Sequence, residues 1–178
     1  MKIIPYTEEM IQKARKKAFE LGKLNNSITR GKGNIAGYLG EEAVASYISA
    51  KIVSNDVGTD KFNHDLLKDN LRIEVKTKRR TVPPKDFYDV SIAESSLHQK
   101  PDLYIFVSLQ FKESFKDKNG EIRYKELENV WLLGQKEPDE YLKIAVVWKS
   151  GDIDKSNSFF THETMYNVAI KDLDTINK

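Results

Sequence analysis

The spacing of apolar residues changes period along the chain, and each change marks an element. Met10, Ala14, Ala18 and Leu21 recur every three or four positions, which predicts a helix over residues 7–22 with Thr7 as its cap and Glu8 and Glu9 in its first turn. Polar residues from Asn25 to Asn34, with Gly31 and Gly33 among them, read as a loop. A second helix is expected from about Ile35 to Ala50. Its adjacent glutamates must diverge by roughly 100°. Glu41 shares its side with Val44, Ala45 and Ile48, whereas Glu42 aligns with Ser46 and Ser49, so Glu41 is the inward candidate. An exposed helix-surface carboxylate is the plainer alternative for it.

The period then drops to two. Ile52-Val53 enters a sheet, and Leu71-Arg72-Ile73-Glu74-Val75-Lys76-Thr77 alternates as a strand, with Glu74 and Lys76 on one face and Ile73 and Val75 on the other. Asp69-Asn70 favours a two-residue hairpin turn, which pairs Lys68 with Leu71, Leu67 with Arg72, Leu66 with Ile73 and Asp65 with Glu74. Thr81 to Pro84 must be a loop, and Ile92 to His98 a short helical or irregular segment. The nearly continuous apolar run from Asp102 to Leu109 predicts a central strand covered on both sides. Phe111 to Glu128 is polar, with a turn at Lys118-Asn119-Gly120, and reads as a protruding ribbon. Strands at Val130–Gly134, Ala145–Trp148 and Asn167–Ile170 and a short helix at Asp139–Lys143 complete a mixed α/β pattern.

That register carries the chemistry. Two carboxylates placed opposite each other destabilise a sheet unless a cation lies between them, and oxygen ligands suit magnesium or manganese. Lys76 would share that surface. The chain has no cysteine, and His64, His98 and His162 lack zinc-binding spacing, so a metal must be held mainly by carboxylates. Glu74-Val75-Lys76 is the one Glu-x-Lys triplet in the sequence.

A net charge of +2 hides an uneven distribution. Cations crowd the N-terminal segment and recur after the Glu-x-Lys strand, and next to a carboxylate site they suit a phosphate backbone. Lys13, Lys16, Lys17, Arg30, Lys32, Lys78, Arg79 and Arg80 are the candidate nucleic-acid contacts. The 178 residues fit one domain, with no apolar run long enough to span a bilayer and a charged first helix where a secretory segment would be apolar. A cytoplasmic protein is the expectation.

Gly37-Tyr38-Leu39-Gly40-Glu41, then Asp65, then Glu74-Val75-Lys76-Thr77 resembles the PD-(D/E)XK nuclease superfamily, most of all its restriction-endonuclease-like and Holliday-junction-resolvase-like branches. The likeness covers about residues 35 to 110, and the later segment is vaguely similar to small phage-borne members, which would put the protein in a host cytoplasm. His64 stands where the family name puts Pro. The resemblance implies a restriction-endonuclease-like fold, a central mixed sheet flanked by helices, and magnesium-dependent hydrolysis of DNA phosphodiester bonds, with manganese as a substitute. It implies that Asp65, Glu74 and the carbonyl of Val75 ligate the metal, that Glu41 holds a second ion or its water, and that Lys76 orients and helps deprotonate the attacking water. Endonuclease action is the first expectation, RNA stays open as a substrate, and a two-fold dimer suits cutting of both strands. The alternative is a nucleic-acid-binding protein on the same fold without turnover.

Overall fold

The computed structural model describes residues 1–22, 34–53, 64–120, 122–154 and 159–176. In chain order the elements are β1 (Lys2–Ile4), α1 (Glu8–Gly22), α2 (Asn34–Ile48), β2 (Lys51–Ile52), β3 (Leu66–Lys68), β4 (Leu71–Arg80), β5 (Asp89–Ala93), β6 (Leu103–Lys116), β7 (Ile122–Lys136), α3 (Pro138–Ile144), β8 (Val146–Trp148), β9 (Ile153–Asp154), β10 (Phe159–Phe160) and β11 (Met165–Ala169). Glu94–Gln99 and Ile170–Asp172 are 3-10 turns.

Six strands form a mixed sheet in the order β1-β7-β6-β4-β3-β2, in which β4 and β6 are parallel and the other neighbours antiparallel. Alternation along β6 builds two cores at once. Ile105, Val107 and Leu109 pack with Ile73 and Val75 of β4 against α1 and α2, whereas Tyr104 and Phe106 face a second core with Val90, Ile92, Tyr141, Val168 and Ile170. The expected doubly covered strand is therefore present, with α1 and α2 on one face. The other face carries a three-stranded sheet, β5-β11-β8, with α3 beside it. Tyr141 of α3 ties these parts together by donating its hydroxyl to the carbonyls of Val90 and Tyr166.

A bulge in β7 serves both cores. Phe106 pairs with Gly134 but Val107 with Leu132, so Leu133 is the extra residue, and Leu132 and Leu133 enter different cores. Gly134, at φ 157, sits where a Cβ would come within 2.7 Å of Leu173 Cβ, which makes glycine necessary there. The polar segment expected as a ribbon continues β6 and β7 beyond the sheet and turns through Asp117–Gly120, where the Gly120 N–H donates to the Asp117 carbonyl at 2.9 Å. Among the described residues no helix is long and apolar enough to cross a membrane.

Candidate functional site

Asp69 and Asn70 both adopt left-handed backbone, φ 49 and 67, and close the hairpin in the expected register from Lys68↔Leu71 to Leu66↔Ile73. The expected Asp65–Glu74 pair does not form. Asp65 lies just outside the ladder: its N–H donates to the Ile73 carbonyl at 3.0 Å, and its Oδ2 accepts the Val75 N–H at 2.8 Å. The cause is the shortness of β3, which stops at Leu66 and leaves the Val75 amide without a ladder partner. The Asp65 carboxylate takes the place of that missing acceptor. Because the N–H and carbonyl of one strand residue point the same way, the Val75 carbonyl also faces past the end of β3, on the side of Asp65.

Glu74, only 4% exposed, lies on the face of β4 turned toward the second core. Its Oε1 accepts from Lys76 Nζ at 2.8 Å, while its buried Oε2 accepts a hydrogen bond from no described residue. Lys76 Nζ also donates to Gln99 Oε1 at 3.1 Å. Sequence reading missed Gln99, since it lies 23 residues from Lys76 on a turn whose sequence carries no periodic signal.

Glu41 reaches this neighbourhood because α2 lies almost against β4. A Cβ on Gly40 would fall 2.1 Å from Thr77 Oγ1, so only glycine allows the approach. Loss of water pushes the Glu41 carboxyl up to about 7; Lys17 opposes the shift, and the charges of Glu74 and Glu42 add to it. Asp65 is raised well above the ordinary carboxylate range, first by burial and then by the charges of Glu41 and Glu74, against the Val75 N–H and Lys76. Tyr104, beside Glu74 in the parallel register, is pushed up to about 12 by burial and by that carboxylate. Glu41, Asp65 and Glu74 thus lie in one electrostatic field.

The four predicted site residues are brought into one region, but not as a finished metal cage. Among the described residues no three acidic or imidazole groups converge closely enough to hold an ion by themselves. Magnesium commonly takes only one or two carboxylates and completes its shell with water and substrate phosphate. Asp65 and Glu74, with the unused Glu74 Oε2 and the Val75 carbonyl, fit that requirement.

The predicted nucleic-acid contacts divide. Lys78 and Arg80 share the Glu74 face of β4 and are half-buried, with donors taken up by β5. Lys78 Nζ donates to the Asp89 carbonyl at 3.0 Å and to Ser91 Oγ at 2.7 Å, and burial with the nearby Arg80 lowers it to about 8. Arg80 Nη2 donates to the same carbonyl at 3.0 Å, with its guanidinium 4.9 Å from the Tyr88 ring centroid. Lys17 is half-buried toward α2 and pairs with Glu42 at 3.6 Å. Lys13 and Lys16 stay exposed, Lys13 beside Glu9 at 2.9 Å. Arg79 is exposed over Tyr124, in the wall of a cleft of about 720 Å³ that also holds Arg15 but none of Glu41, Asp65, Glu74 and Lys76. Arg30 and Lys32 lie outside the described residues. Compared with models of protein families and with curated proteins, the chain matches none.

Proposed function

We propose that the chain is a metal-dependent nuclease of the PD-(D/E)XK type on a restriction-endonuclease-like fold, hydrolysing phosphodiester bonds in DNA, in the first instance as an endonuclease. One observation carries the reading: a buried carboxylate oxygen, Glu74 Oε2, lacks a donor among the described residues near a second, half-buried acid, Asp65, and an ammonium, Lys76. A buried anion leaves water at a high cost unless a cation answers it.

Asp65, Glu74 and the Val75 carbonyl would hold magnesium, or manganese in its place, and Glu41 would stand ready for a second ion or a water. A bound divalent cation supplies a polarised water and neutralises charge developing at phosphorus. The chain's own part is alignment and proton handling. Lys76 Nζ uses two of its N–H groups on Glu74 Oε1 and Gln99 Oε1, which leaves a third to orient the attacking water or steady a phosphate oxygen. In-line displacement would then leave a 5′-phosphate and a 3′-hydroxyl. Exposed Lys13, Lys16 and Arg79 supply positive charge for a backbone.

The Lys76–Glu74 ion pair favours a second reading, because it balances one acid without any metal. On that reading the protein binds nucleic acid without turning it over. A panel of duplex, nicked, flap and four-way-junction DNA together with RNA, incubated with magnesium, manganese or EDTA, separates the two. Metal-dependent products are expected on DNA. Binding without cleavage in metal, or undiminished cleavage in EDTA, would contradict the nuclease reading.

A further inference from the structure

We infer that Gln99 is a positioning residue for Lys76: it holds the ammonium in place when Glu74 is engaged elsewhere. The inference rests on the nuclease reading for its consequence in catalysis, but the contact itself does not. Lys76 Nζ has two anchors, Glu74 Oε1 at 2.8 Å and Gln99 Oε1 at 3.1 Å. The first is also a proposed metal ligand, so a cation competes with Lys76 for that carboxylate. The second is a neutral amide, a weaker attraction for a hard cation in this company, and it adds no fourth negative charge to Glu41, Asp65 and Glu74. When Glu74 turns to a cation, Gln99 is the contact that remains to keep the lysine from swinging away.

The turn that bears Gln99 is fixed at both ends, as positioning demands. At its start, the Glu94 N–H donates to the Thr164 carbonyl at 2.9 Å and Ser95 Oγ to Glu163 Oε2 at 2.7 Å, and Leu97 packs on the second core. At its end, Lys100 takes left-handed backbone, φ 44 and ψ 57, and the ring of Pro101 restricts the backbone entering β6. Asp102 then clamps Arg72 of β4: Oδ2 accepts the Arg72 N–H at 2.8 Å, Oδ1 accepts from Nη2 at 2.8 Å, and the Asp102 N–H donates back to the Arg72 carbonyl at 2.8 Å. Arg72 lies two residues before Glu74. The amide of Gln99 is thereby registered to the same strand that bears the acid and the lysine, and a loose side chain on a free loop would not be.

The test compares Gln99→Met, which keeps length but removes the acceptor, with Gln99→Glu, which restores an acceptor oxygen at the same reach; Gln99→Ala repeats the deletion if the Met variant does not melt cooperatively. With saturating metal, Gln99→Met should lower kcat about 10- to 100-fold, the scale of a misplaced group, with KM for DNA unchanged. Gln99→Glu should recover only part of the rate, because its acceptor oxygen returns together with the fourth negative charge that the native amide avoids. Wild-type kcat in Gln99→Met overturns the inference and leaves the nuclease reading standing. If the wild-type protein cleaves nothing, the nuclease reading fails separately, and the positioning is then read from 15N-lysine spectra. Read in a Glu74→Ala background, which removes the other anchor, a protected Lys76 ammonium signal should appear with Gln99 intact or changed by Gln99→Glu and vanish with Gln99→Met; equal protection in all three overturns it.

Discussion

The two halves of one face of β4 carry similar side chains and meet opposite fates. Toward its start, Glu74 and Lys76 lie in a field of acids, and a carboxylate oxygen is left without a donor among the described residues. Toward its end, Lys78 and Arg80 are half-buried and engaged by β5, with the Asp89 carbonyl and Ser91 hydroxyl accepting from them, and Ser91 Oγ in turn bonds Asn167 Oδ1 at 2.5 Å. The strand's period makes these residues equivalent. What meets them makes them different: β5 takes up donors of Lys78 and Arg80, though Arg80 Nε bonds no described residue, whereas at the acid end the orphaned atom is a carboxylate oxygen among further acids. A lysine two positions from a candidate catalytic lysine is therefore no evidence of phosphate contact.

Substitutions at the acid end should break this contrast most visibly. Asp65→Asn and Lys76→Ala should each lower cleavage roughly 10²- to 10³-fold, the scale of losing one electrostatic group from an active site. The metal-free Asp65→Asn protein should melt no lower than wild type, because an amide oxygen can still accept the Val75 N–H while repulsion from Glu41 and Glu74 disappears. Lys76→Ala should keep manganese binding, since Glu74 Oε1 is released. A strongly destabilised Asp65→Asn together with a fully active Lys76→Ala would make the carboxylate structural.

At the basic end the effect should fall on stability. Lys78→Met leaves Ser91 and the Asp89 carbonyl with one donor fewer, which should cost about 1–3 kcal/mol in denaturant unfolding. The salt dependence of DNA binding should stay as in wild type, whereas exposed Lys16→Met should leave stability alone and lower the slope by about one. A lower slope in Lys78→Met would return that lysine to the nucleic-acid surface.

A smaller effect separates the ends by pH. Glu41 is held near about 7 and Asp65 is also raised, so the folded state binds more protons than the unfolded chain between the ordinary carboxylate range and neutrality. Stability of the metal-free protein should therefore be full below that window and fall as pH rises through it, by roughly 1–2 kcal/mol after allowing for partial exposure. Glu41→Gln should flatten the slope, and a melting temperature independent of pH in wild type would remove the evidence for crowded acids.

Local pattern made much of this legible. The Asp69-Asn70 turn fixed the hairpin register as far as Leu66↔Ile73, and the apolar run after Pro101 marked the central strand. Helical spacing separated Glu41 from Glu42 too sharply, since the Glu42 side chain is itself only 11% exposed against Lys17. Features set by distant partners were not legible. The displacement of Asp65 follows from where β3 ends, and the burial of Lys78 from a strand, β5, whose start preceded the segment expected to be irregular. Three-residue β1 carried too little pattern to be seen, and Gln99 acquires a role only through the fold of its turn.

The central claim is that the acid end of β4 is built to receive a cation. Calorimetric titration of manganese into the metal-free protein and into Glu74→Gln near neutral pH tests it directly. A saturable heat and a raised melting temperature are expected in the wild type and neither in Glu74→Gln. No heat in the wild type, or the same heat in both proteins, would contradict the claim.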